Sequence, residues 1–256
     1  MPAAYDSYNY PQYWENREYE HKSETIAISE FLAKIPKLKT ILDIGAGFGR
    51  ITPTYLHRAP KIILSDPSAK LLKIARKKLN TKTSDGKGKK LKFIQIKLEN
   101  LPEKIRKESV DLIVFVRVLH HIEDVDKAFA IINQLISQKG YLILEFANKR
   151  HLKAIANQFI RGNITYLLDI FPKELNIRKS KIKKLPFLNY HPDAIHEKLL
   201  KHGFKIIEVR SVSNIRSPYL KRFIPLELLL NIEKHIQKAF AKICFGPSIF
   251  ILAKKN

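Results

Sequence analysis

Ile41-Leu42-Asp43-Ile44-Gly45-Ala46-Gly47-Phe48-Gly49-Arg50 decides how this 256-residue chain is read. Thr40–Ile44 reads as a short buried strand that breaks at glycines 45, 47 and 49. Glycines at such a break let the chain turn sharply and bring its backbone close enough to touch a ligand. A dinucleotide fold wants a glycine at position 50, where Arg50 stands instead. A phosphate-binding P-loop needs Lys-Ser or Lys-Thr after its glycines, and that pair is absent. What remains is a carboxylate, Asp43, two positions ahead of a G-x-G-x-G, at a strand end beside whatever fills the loop.

Downstream, short β-branched runs alternate with helical stretches. Arg50–Arg58 reads as a helix, Lys61–Ser65 as a strand and Ser68–Asn80 as a Lys-rich helix with Leu71, Leu72, Ala75 and Leu79 on one face. Thr81–Lys90 is a polar loop. Leu91–Leu98 and Val110–Val116 read as strands, Val125–Ser137 as a helix and Tyr141–Phe146 as a further strand. Pro192 opens a helix that runs to His202 and stops at Gly203, and Lys205–Val212 and Pro247–Ala253 are the last strands. Strands separated by helices of this length predict an α/β fold, a parallel sheet with helices on both faces. Two segments break the alternation, Asn148–His191 and Asn214–Phe245. The second carries Leu229, Ile232, Ile236, Phe240 and Ile243 at helical spacing.

Composition narrows the class. The chain is 45% hydrophobic and 28% charged, which excludes a disordered or collagen-like protein. One cysteine, Cys244, excludes an internal disulfide and a multi-cysteine zinc cluster, and no metal site is read. Met1 to Glu20 lacks the apolar centre of a secretory signal, and runs such as Leu112–Val116 fall far short of the ~20 residues that span a bilayer. The expectation is a soluble, cytoplasmic protein. Forty-seven Lys and Arg against twenty-four Asp and Glu leave a net charge of +23, which suits an anionic partner and equally a coding bias towards lysine.

Asp66 closes the second strand in Leu64-Ser65-Asp66-Pro67. An acid there suits two ribose hydroxyls, and it also suits the N-cap of the helix that follows. The glycine turn, Asp66-Pro67, Leu98-Glu99-Asn100-Leu101-Pro102 and Arg117-Val118-Leu119-His120-His121-Ile122 occur in that order. Together they resemble the class I S-adenosylmethionine-dependent methyltransferases, in particular the small-molecule enzymes with a Leu-His-His signature. The likeness spans roughly Thr40 to Phe146.

The resemblance implies a Rossmann-like, doubly wound, seven-stranded sheet with its last strand antiparallel, and S-adenosyl-L-methionine as cofactor. It implies that Asp43 and the backbone of Gly45, Ala46 and Gly47 hold the methionine part. Asp66 would bind the ribose, Pro67 would pack on the adenine, and Leu98 and Glu99 would line the adenine pocket. Arg117 and Val118 would lie under the sulfonium end. Lys97 departs from the family, which often has an Asp there to accept from the adenine amino group. His120 and His121 are the candidate bases, needed only if the acceptor must lose a proton. Either imidazole also reads as loop packing. Glu145 and, more weakly, His191 are further candidates.

The chain reads as one domain, with 1–39 an N-terminal cap segment, 40–147 the cofactor-binding core, and 148–191 and 214–245 cap insertions. Tyr13, Trp14, Arg17 and Tyr19 would form an aromatic and cationic rim. Residues 150–190 carry nine basic and two acidic groups, and residues 213–245 carry six and two. Both follow strands at the cofactor edge. By contrast, the ten basic residues between Lys70 and Lys92 fall on a helix and a loop at the opposite end of the strands. The expectation is an anionic acceptor, small or lipid-like, with peripheral contact to an anionic membrane left open. The alternatives are an RNA acceptor and a cofactor-binding protein without catalysis.

Overall fold

The computed structural model describes residues 6, 9–80, 90–163, 166, 169–174 and 187–256. Residues 81–89 of the expected polar loop and the lysines between 179 and 184 lie outside them. Strands β1 (Thr40–Ile44), β2 (Lys61–Asp66), β3 (Lys90–Gln95), β4 (Val110–Phe115) and β5 (Ile136–Ala147) run parallel, in the spatial order β3-β2-β1-β4-β5. Two short strands, β6 (Lys173–Glu174) and β7 (Leu188–Asn189), form a separate antiparallel pair. The main sheet continues with β8 (Phe204–Val212) at its edge and β9 (Ser248–Lys255) inserted antiparallel between β5 and β8. This is the doubly wound seven-stranded sheet expected, with its last strand reversed.

Every residue of β1 is buried, because strands flank it on both sides and helices cover both faces. Its side chains alternate between two cores. Leu42 and Ile44 join Phe115, Phe129 and Leu199 beneath α5 (Val125–Leu135) and α7 (Pro192–Lys201). Ile41 joins Phe31, Tyr55 and Ala75 beneath α2 (Glu18–Leu32), α3 (Thr52–Tyr55) and α4 (Ala69–Asn80). The chain runs outward from β1 to β2 and β3, then crosses back to β4 on the other side of β1. At such a switch point the crevice outside the carboxyl ends of the strands is open to a ligand.

Several boundaries differ from expectation. The helix expected over Arg50–Arg58 is a single turn, α3, with Pro53 in its first turn. The strand expected to reach Leu98 ends at Gln95, since Leu98–Glu103 closes into a 3-10 turn that contains Pro102. The helix expected to run to Ser137 ends at Leu135, and β5 begins at once, five residues earlier than Tyr141.

The apolar stripe of the last long helix is also corrected. In α9 (Leu226–Ala241) the buried residues are Leu229, Leu230, Glu233 and Gln237, while Ile232, and Ile243 just beyond the helix, are exposed. The helix lies on α2 and β8, turned so that Glu233 faces inward. There its carboxylate accepts from the backbone N–H groups of Ser213 (2.8 Å) and Asn214 (3.1 Å). Satisfying two buried donors outweighs burying two more aliphatic side chains, because an unmade buried hydrogen bond is costly.

Candidate active site

The ends of β1 to β4 enclose a crevice of about 670 Å³. The glycine turn forms its floor. Gly45 and Gly47 hold φ of +72° and +55°, a region that side-chain-bearing residues rarely adopt. The N–H groups of Gly45 and Ala46 both donate to Ser65 O, at 2.8 and 3.0 Å, which folds the turn back onto β2. A Cβ on Gly45 would sit 2.3 Å from Val118 Cγ2, so glycine is required by contact as well as by conformation.

Two buried carboxylates flank this turn. Asp43 accepts from the Tyr55 hydroxyl, and burial pushes its pKa up to about 7 against that bond. Asp66 Oδ2 accepts from Gly47 N at 2.9 Å and Oδ1 from Ser68 N at 2.8 Å. Burial pushes Asp66 up to about 6, opposed by those two backbone donors. The helix-cap role falls to Ser68, whose Oγ accepts from Leu71 N at 3.1 Å. Asp66 instead ties the end of β2 to the glycine turn.

Pro67, Leu98, Glu99, Arg117 and Val118 all border the crevice, as do Asp43, Gly45, Ala46, Gly47 and Asp66. The ten residues expected at the cofactor therefore meet in one place. Lys97 lines the crevice too, together with Gln95 and Asn100.

The histidines separate. Both lie in a 3-10 turn, Leu119–His121, after β4. His121 lines the crevice, whereas His120 is buried with its ring 4.4 Å from that of Phe187 and 4.0 Å from that of His121. Burial, with the neighbouring His121 and Arg117, holds His120 neutral, well below the usual histidine range. His191 caps α7, accepting from Asp193 N at 3.3 Å, and does not reach the crevice. Glu145 is buried behind the site, accepting from Arg117 N and Ser248 Oγ at 2.8 Å each.

Three residues of the site were not foreseen. Glu24 of α2 is fully buried and bridges the guanidiniums of Arg50 and Arg117, two residues that border the crevice. Burial alone would raise Glu24, but the two guanidiniums outweigh it and hold the group below its usual range. The Arg50 guanidinium lies 3.6 Å from the centre of the Trp14 ring. Tyr10 of α1 (Tyr10–Trp14) also lines the crevice and meets Phe48 edge-on. Of the expected rim, Trp14 and Tyr19 are buried, and Tyr13 lies under Arg17 at 4.1 Å. The visible signal for Glu24 was an acid within the apolar face formed by Ala27, Ile28 and Phe31. None of the described residues of 148–191 or 214–245 lines the crevice.

An open α/β sheet with a glycine turn at its switch point and an acid closing the next strand is an arrangement suited to a ligand that carries a ribose. Residues 42–144 match the family described as methyltransferase domain. Over 224 residues the chain is 25% identical to the tRNA 5-carboxymethoxyuridine methyltransferase of Escherichia coli K12, covering 86% of this chain and 81% of that protein. Over 102 residues it is 31% identical to a Saccharomyces cerevisiae protein described as an S-adenosylmethionine-dependent methyltransferase, covering 40% of this chain and 33% of the yeast protein's length. A solved SAM-dependent methyltransferase from Thermotoga maritima shares the fold, with a TM-score of 0.62 and 18% identity over 96% of this chain and 95% of that one. Residues 42–144 thus carry a methyltransferase domain, and S-adenosyl-L-methionine is its cofactor.

Proposed function

We propose that the protein methylates a small-molecule or lipid-like acceptor that carries negative charge. The observation behind this reading is topological. The two strongly basic segments, 150–190 and 213–245, follow β5 and β8 at the carboxyl edge of the sheet, where the crevice opens. Basic chain leaving the sheet at that edge attracts an anion at long range and raises its local concentration, although none of its described residues lines the crevice itself. In this reading 148–191 and 214–245 border the acceptor's approach, while 40–147 holds the cofactor.

The crevice fits the cofactor's chemistry. Asp66 spends one lone pair of each oxygen on Gly47 N and Ser68 N, leaving others for the ribose hydroxyls. Asp43 and the Gly45–Gly47 backbone hold the methionine part, with Arg117 and Val118 under the sulfonium end. Pro67, Leu98 and Glu99 border the adenine. When bound, S-adenosyl-L-methionine supplies an electrophilic methyl group on a sulfur leaving group. The chain's contribution is to hold the acceptor's nucleophile in line. His121 is placed on the crevice wall to take a proton from an acceptor that must lose one. His120 fixes that ring by contact and stays neutral.

Cofactor affinity is expected to rise with pH. Asp43 and Asp66 hold protons up to about pH 7 and about pH 6 in the free protein, and the donors of the ribose and the ammonium group favour their ionised forms. Binding therefore releases protons between about pH 5 and 7 and tightens until both groups are ionised. Calorimetry at pH 6 in two buffers of different ionisation enthalpy measures that release. Proton uptake, or affinity that falls across the range, would defeat these roles.

A second reading has its own observation. The Escherichia coli relative named as a tRNA methyltransferase aligns over 86% of this chain, beyond the cofactor core. The two readings part when the protein is incubated with labelled methyl donor and a total cell extract. Label in the small-molecule or lipid fraction supports the first, and label in RNA replaces it with the second. Cofactor binding with no labelled product in any fraction would leave a binding protein and overturn both.

A further inference from the structure

We propose that α8 (Pro218–Phe223) and the first turns of α9 dock this protein on an anionic phospholipid surface. The inference holds whichever acceptor is methylated. None of the six residues of α8 is buried. Tyr219, Leu220 and Phe223 are 71%, 45% and 63% exposed, and Leu228 and Ile232, one helical turn apart on α9, are exposed as well. Single apolar residues on a surface need no explanation, but five within fourteen positions do.

The base of this element is firmly fastened. Ile215 N donates to the Tyr19 hydroxyl at 3.1 Å, and Lys221 pairs with Glu20 at 2.5 Å and lies over the Tyr19 ring at 4.4 Å. Just before it, the buried Glu233 carboxylate takes the N–H groups of Ser213 and Asn214. A buried ionisable joint thus holds a helix of which only Lys221 is partly covered. That arrangement presents side chains outward rather than filling a core.

The charges around these side chains point to the partner's chemistry. Arg216 and Arg222 are exposed, and among the described residues neither pairs with a carboxylate. Lys221 is neutralised by Glu20, and Glu227 lies 3.7 Å from Lys22. Uncompensated guanidiniums beside protruding apolar groups match the water–lipid boundary, where acyl chains accept the apolar groups and phosphates accept the cations. A single-stranded nucleic acid fits less well, because it stacks on free ring faces. Here the Tyr219 and Phe223 rings lie against each other at 4.6 Å, Arg222 lies 5.9 Å over Phe223, and the other three side chains are aliphatic. No described helix is long and apolar enough to cross a membrane, so the contact is peripheral. In the chain it lies between the end of β8 and the start of β9, both at the carboxyl edge of the sheet.

Co-sedimentation with vesicles tests the proposal. The protein is expected to bind phosphatidylcholine vesicles containing phosphatidylglycerol and not phosphatidylcholine alone. Tyr219→Ser with Phe223→Ser, and separately Arg216→Gln with Arg222→Gln, should each weaken vesicle binding at least about tenfold. Calorimetric binding of S-adenosyl-L-methionine should be unchanged in both, which shows that they fold. Loss of cofactor binding in the parent protein would count against the methyltransferase reading and not against docking. Failure of the parent protein to bind the mixed vesicles, or binding by both variants as tight as the parent's, would overturn the proposal. Binding to tRNA that the Tyr219 and Phe223 changes abolish, without vesicle binding, would give the surface to RNA.

Discussion

Glu24→Ala is expected to lower the free energy of unfolding by about 3–5 kcal/mol, the range for removing one partner of a buried ion pair. Glu24 has no exposed surface, and the Arg50 and Arg117 side chains that it bridges are themselves only 10% and 23% exposed. Without the carboxylate, two guanidiniums share a low-dielectric wall with no counter-charge between them. The loss reaches the site as well, since Arg117 borders the crevice and sits at a left-handed φ of +64°. Glu24→Gln keeps the shape and one acceptor, so its cost should be smaller. Urea unfolding of the three proteins measures the order. The pair's contribution is present above the ordinary glutamate value of 4.5 and is lost as pH falls through the lowered folded value, so the variants should converge with the parent protein in acid. A cost below about 1 kcal/mol would mean that the guanidiniums find solvent instead.

Asp66→Ala is expected to weaken cofactor binding by about 1–3 kcal/mol, or about 5- to 150-fold, through lost hydrogen bonds to the ribose. Two backbone donors, Gly47 N and Ser68 N, also lose their acceptor. The substitution therefore loosens the glycine turn from β2 while removing the ribose contact. Asp66→Asn retains one acceptor oxygen and should fall between the two. Calorimetry with S-adenosyl-L-methionine gives the affinities, and an unchanged value for Asp66→Ala would remove this residue from the site.

Local chemistry in the chain was enough for the order of the strands, the turn at Gly45 and the carboxylates at Asp43 and Asp66. A strand buried on both faces is largely apolar, so that the carboxylate of Asp43 stands out in it, and a chain that leaves it sharply favours glycine, so both features are written in consecutive residues. The turn at Leu119–His121 was legible as a motif, but not which imidazole faces the crevice. That choice depends on Phe187, which packs on His120 from 67 positions away in the chain. Periodicity likewise placed α9 and misjudged its buried face.

Tertiary structure alone decided the rest. Glu24 reaches Arg50 and Arg117 across separations of 26 and 93 residues, and Tyr10 arrives at the crevice from the first helix. The rotation of α9 follows from the need of Ser213 N and Asn214 N for an acceptor, not from the count of aliphatic residues along the helix. The pattern of consecutive residues encodes which face of an element is apolar. Which buried charge or donor finds its partner depends on elements that meet only after the sheet has closed, and one unmet buried group outweighs the exposure of a few aliphatic side chains.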